Sequence, residues 1–91
     1  MAAQDATAWK QTLYMEIGHL VRKQRERSGL SLRDVAFKLG LAYQSVSRVE
    51  EGQGAPVHFL VAFAQLTACD VGTLIPKIHT TFQRTIDRTG T

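Results

Sequence analysis

The chain has 91 residues, 44% hydrophobic and 21% charged, with eleven Lys and Arg against eight Asp and Glu and a formal net charge of +3. That length allows one domain, and the composition is that of an ordinary folded chain, not a disordered one. No run of about 18 apolar residues is present to span a membrane, and Asp5 precedes any basic residue with no continuous apolar stretch after it, so no secretory signal is expected. Cys69 is the single cysteine, which allows no intrachain disulfide and makes a reducing cytoplasm the expected compartment. The basic charge is unevenly spread. Eight of the eleven Lys and Arg fall between Lys10 and Arg48, and Arg22, Lys23, Arg25 and Arg27 form a tight group. A basic half suits a polyanion such as DNA or RNA; a solvated helix face is the plainer explanation.

No stretch keeps a period of two, and Gly and Pro fall at boundaries, so the chain reads as all-α. A first helix is expected from Asp5 or Thr7, either of which can cap it, to about Arg27. Trp9, Leu13, Ile17, Leu20, Val21 and Gln24 follow spacings of three and four along it and face a core; Gly18 marks a candidate break. Gly29 is the expected stop. Ser31 is the expected N-cap of a second helix over Leu32 to Leu39, with Asp34 as a weaker capping-box partner than Glu. A third helix is expected from Tyr43 to Glu50, then the loop Gln53-Gly54-Ala55-Pro56. A fourth follows from His58 to Thr67, with Phe59, Leu60, Phe63, Ala64 and Leu66 largely inward. A short fifth helix over Val71 to Ile75 is stopped by Pro76. The tail from Lys77 carries Ile78, Phe82 and Ile86 at four-residue spacing, which suits one more helix.

The segment about 20 residues long after Ser31 meets the requirements of a helix-turn-helix unit. Ala36 is small where the two helices approach. Gly40 supplies the positive φ of the turn. Leu41 plugs the turn into the core, and Val46 and Val49 lock the second helix against the first.

In these residues and their surroundings the chain resembles the phage repressor and Cro family, also known as the Xre family. The resemblance covers about Ile17 to Ile75. It includes Arg25, "GLS" at 29–31, "VAFKLGL" at 35–41, "SVSRVEEG" at 45–52, Pro56 and the closing "VGTLI". It implies five compact helices, a homodimer, and binding of double-stranded operator DNA in the major groove, in a bacterial, phage or plasmid setting. Carried over position by position, base readout falls to Tyr43, Gln44, Ser47 and Arg48. Backbone contact falls to Ser31, Arg33, Ser45, Gln53 and His58. Arg25 and Glu50 match a structural ion pair between the first and third helices. Tyr43 and Leu32 depart from the pattern, since many relatives carry a small polar residue or Gln at the first and Gln at the second.

Plainer roles stand beside these: Arg48 as a solvated side chain or a partner of Glu51, Tyr43 as a packing residue, His58 as an ordinary surface residue. Trp9, Leu13, Ile78, Phe82 and Ile86 lie outside the five-helix core and are dimer-interface candidates, or they pack on their own monomer. His19, His58 and His79 lie far apart, and with one cysteine they give no zinc spacing. Cys69 is expected as a small buried hydrophobe. No phosphate loop, nucleophile elbow or paired carboxylate site is present, so neither an enzyme, a cofactor nor a small-molecule ligand is expected. The expected function is a small transcription regulator, chiefly an autorepressor. The alternative is a protein-binding module of the same fold, such as an antitoxin.

Overall fold

In a computed structural model of the chain, the backbone is described over residues 2–76 and the side chains over residues 8–76. Among the described residues four α-helices follow one another: α1 (Ala2–Arg27), α2 (Leu32–Leu39), α3 (Tyr43–Glu50) and α4 (Val57–Leu66). A single 3₁₀ turn over Val71–Leu74 completes the order. No strand occurs among the described residues.

The expected second and third helices have the bounds found. Three other expectations are corrected. The first helix starts earlier than Asp5 or Thr7 and runs unbroken through Gly18. The fourth is shifted by one residue, with Pro56 at its N-cap. The fifth α-helix does not form, so five helices become four and a 3₁₀ turn. Its failure is local. The residue before a proline is driven out of the helical region, and Ile75 is extended at φ −106°, ψ 121°. Only four residues remain between Asp70 and that point, a length suited to the tighter helix. Ile78, Phe82 and Ile86 lie outside the described residues.

One core holds the elements together. Ile17 and Val21 of α1, Val35 and Ala36 of α2, Val46 and Val49 of α3, Phe59, Leu60, Phe63 and Ala64 of α4, and Leu74 are all buried. The Phe59 and Phe63 rings stack at 5.6 Å between centroids, within the favourable range for aromatic pairs. Gln24, the polar member of the α1 stripe, is buried at 9% exposure, and its amide donates to the Thr67 carbonyl at 3.3 Å. That bond ties the end of α1 to the end of α4 and satisfies a group that would otherwise be costly to bury.

The turn between α2 and α3 is built as its residues require. Gly40 takes φ 67°, ψ 34°, a left-handed conformation that costs a residue with a Cβ about 1–2 kcal/mol. The amide of Leu41 then returns to the Ala36 carbonyl at 2.8 Å, closing the end of α2.

Candidate functional site

α3 has two faces. Val46 and Val49 are buried on one. Tyr43, Gln44, Ser45 and Arg48 are exposed on the other, with Ser47 half-buried between them. The helix is eight residues long, too short to persist alone in water, so its orientation comes from what it packs on.

That support is α1. Gly18 lies against the C-terminal turn of α3 so closely that a Cβ added there would stand 2.6 Å from the Val49 carbonyl oxygen and 2.7 Å from that of Glu50. About two helical turns further on, the guanidinium of Arg25 meets the Glu50 carboxylate side-on. Its Nε donates at 2.6 Å and its Nη2 at 3.1 Å, while Nη1 donates to the Leu30 carbonyl at 2.9 Å. The two side chains are 12% and 8% exposed. The hydrogen bond to Glu50 is the main reason the Arg25 guanidinium holds its proton more firmly than usual. Two parallel bonds fix direction as well as distance, so this pair sets the rotation of α3 about its axis.

The other candidate residues divide into groups. Arg33, Tyr43 and Gln44 meet around an open depression floored by Ala36 and Ala42, where α2 and α3 join. Ser45, Arg48 and Gln53 meet around a second depression, with Tyr14 of α1 and the loop from Gly54 to Pro56. His58 is exposed at the start of α4 and lines neither. Ser31 stands at the N-cap of α2, where its Oγ accepts from the Asp34 amide at 3.0 Å and its own amide donates to the Asp34 carboxylate at 2.8 Å. This capping box already sets a carboxylate at the positive end of α2.

Arg48 forms no ion pair among the described residues, and the carboxylate of Glu51 beside it has other partners. Ser47 Oγ donates to one oxygen of Glu51 at 3.2 Å and Gln53 Nε2 to the other at 3.0 Å. Gln53 therefore braces a neighbour. Leu13 is half-buried and packs against the core of its own chain, and Trp9 is half-buried.

Two contributors escaped the sequence reading. Tyr14 lines the Arg48 depression; its spacing of three and seven from the buried Ile17 and Val21 was the available signal. In the sequence Gly18 suggests a break, and only the approach of α3 reveals its use. Among the described residues no group of His, Cys, Asp and Glu could hold a metal ion, and no helix is long and apolar enough to cross a membrane.

No curated protein and no solved structure matches the chain significantly. A family described as a helix-turn-helix domain matches residues 16–75. That span runs from the support on α1 through α2, the turn and α3 to the 3₁₀ closure, and the chain belongs to this helix-turn-helix family.

Proposed function

We propose that the protein is a transcription regulator that binds double-stranded DNA in a sequence-specific manner, laying α3 in the major groove. The observation that carries this reading is the outer face of α3. The side chains of Gln44 and Arg48 are exposed there, with no side-chain hydrogen bond or ion pair to another described residue. The groove admits one α-helix and presents a distinct donor and acceptor pattern for each base pair. Gln44 suits paired bonds to adenine N6 and N7, and Arg48 paired bonds to guanine O6 and N7. Tyr43 and Ser47 lie beside them as secondary readers. Arg33, at the rim of the Tyr43 depression, supplies a phosphate contact that positions without specifying, with Ser31, Ser45, Gln53 and His58 as the flanking polar set.

One such helix covers few base pairs, so the working unit is a homodimer on a near-palindromic operator, with half-sites about 34 Å apart. Trp9, Leu13, Ile78, Phe82 and Ile86 are the interface residues in this reading, and 76–91 is a dimerisation tail beside the core at 17–75. Occupancy of its own or a neighbouring promoter makes it a repressor of the Xre and Cro type, acting in the cytoplasm by binding, without catalysis or cofactor.

The test is selection of duplexes from a random pool at about 0.15 M salt, where nonspecific counterion-driven binding is weakened. An enriched inverted repeat is expected. The Gln44→Ala, Arg48→Ala double variant should lose it while keeping its helix content and oligomeric state. Unchanged selection by that variant would remove these two residues as readers. No enrichment by the folded wild type would remove DNA binding itself.

A further inference from the structure

Glu51 ends α3 on the face assigned to DNA, where a carboxylate is out of place. Its backbone keeps helical angles, φ −84° and ψ 0°, so it continues the line of the helix. Gln44, Ser47, Arg48 and Glu51 are spaced by three, four and seven, which puts all four on one side. A phosphate-lined groove repels a carboxylate, and an unconstrained Glu would swing aside. Glu51 is instead held by both oxygens, by Ser47 Oγ at 3.2 Å and Gln53 Nε2 at 3.0 Å. Each carboxylate oxygen has a second lone pair, so the bound carboxylate still accepts.

We infer that Glu51 is a base-reading residue that selects a cytosine by accepting from its N4 amine, with Ser47 and Gln53 as the brace that aims it. This rests on the proposal that α3 enters the major groove. Among base edges exposed there, amine donors belong to cytosine N4 and adenine N6, and cytosine is the base without the N7 acceptor that a carboxylate would face. The rise of an α-helix is about 1.5 Å per residue, so Glu51 lies about 4.5 Å beyond Arg48 along the axis. Base steps are about 3.4 Å apart. The selected cytosine is therefore one or two steps from the base read by Arg48, on the side away from Gln44. Where the base edge there presents no amine, the carboxylate faces acceptors and phosphates, so it also weakens binding to arbitrary DNA.

The experiment compares wild type, Glu51→Ala and Glu51→Gln in the same random-pool selection, with circular dichroism as a check of folding. Glu51 is exposed and outside the core, so both variants should fold. The wild type should show cytosine at one defined position by roughly 5- to 150-fold over other bases, the range of a good base contact. Glu51→Ala should lose that preference alone, keep the others, and bind arbitrary duplex more tightly. Glu51→Gln, which adds a donor, should shift the preference away from cytosine. An unchanged base profile in Glu51→Ala overturns the inference while the DNA-binding reading stands. A uniform loss across all positions in a folded variant also overturns it, since that marks a structural role. A wild type that selects nothing overturns both.

Discussion

At the scale of single residues, the Arg25–Glu50 pair and the Ser31–Asp34 box carry different kinds of energy. Arg25 and Glu50 are nearly buried, so removing one strands the other. Glu50→Ala should cost about 3–5 kcal/mol in urea unfolding at neutral pH. Arg25→Lys should recover little of that, because a compact ammonium lacks the planar fork that spans both carboxylate oxygens and the Leu30 carbonyl at once. Asp34 is exposed, and its carboxyl is held below its ordinary value of 3.8, first by the Ser31 amide and then by the Ser31 hydroxyl. A group depressed in the fold contributes stability above its unfolded value and loses it as pH falls through the folded one. The stability of the wild type should therefore fall more steeply below about pH 3.8 than that of Asp34→Asn, read from thermal midpoints at pH 2 to 5. Ala68 is the third case. It takes φ 55° just past α4, where glycine commonly stands. The conformation costs alanine about 1–2 kcal/mol, while glycine costs about 0.4–1 kcal/mol through the unfolded chain. Ala68→Gly should thus raise stability by up to about 1.5 kcal/mol, each kcal/mol being about 4–8 °C in Tm. Ser31 and Asp34 were legible because capping is written within four residues. Ala68 was not, since nothing in the sequence marks a left-handed position when glycine is absent from it.

At the scale of elements, the contact between α1 and α3 decides how the polar face is presented. Replacing a mid-helix glycine by alanine ordinarily stabilises by about 1 kcal/mol. At Gly18 the added carbon would meet two backbone oxygens at 2.6 and 2.7 Å, and α3 would have to move. Overpacking of that kind costs about 1–3 kcal/mol, so Gly18→Ala should be destabilising on balance. Amide chemical shifts in α3 should move although no α3 residue has changed. A stabilised variant with unshifted α3 amides would refute the contact. The helices α2 and α3 were readable to the residue, because caps, glycines and valines fall at short fixed intervals. Gly18 and the Arg25–Glu50 pair depend on partners 25 or more residues away. The pair was reachable only through the family resemblance, and the glycine's use was not reachable at all.

For the whole molecule, a chain this size has little stability to spare. Phe63 is fully buried between the other core side chains. Phe63→Ala should cost about 3–5 kcal/mol, a large share of the 5–15 kcal/mol typical of a domain. The variant should show a lowered, broadened thermal transition and faster proteolysis. The all-helical class was legible from period alone, because apolar spacings of three and four recur from Trp9 to Leu66. The closing turn was not, since Pro76 acts backwards on Ile75 and shortens an otherwise acceptable helix.

The division of α3 into two faces bears on how such a protein changes over generations. Val46 and Val49 belong to the core, and the side chains of Gln44 and Arg48 touch no described neighbour through a hydrogen bond or ion pair. If α3 reads DNA as proposed, exchanging the second pair alters what the chain recognises at almost no cost to its folding. The molecule can therefore drift from one target to another through stable intermediates, with the scaffold beneath left under a selection of its own. A library randomised at positions 44 and 48 should stay folded nearly throughout, while one randomised at 46 and 49 should collapse to a few apolar survivors.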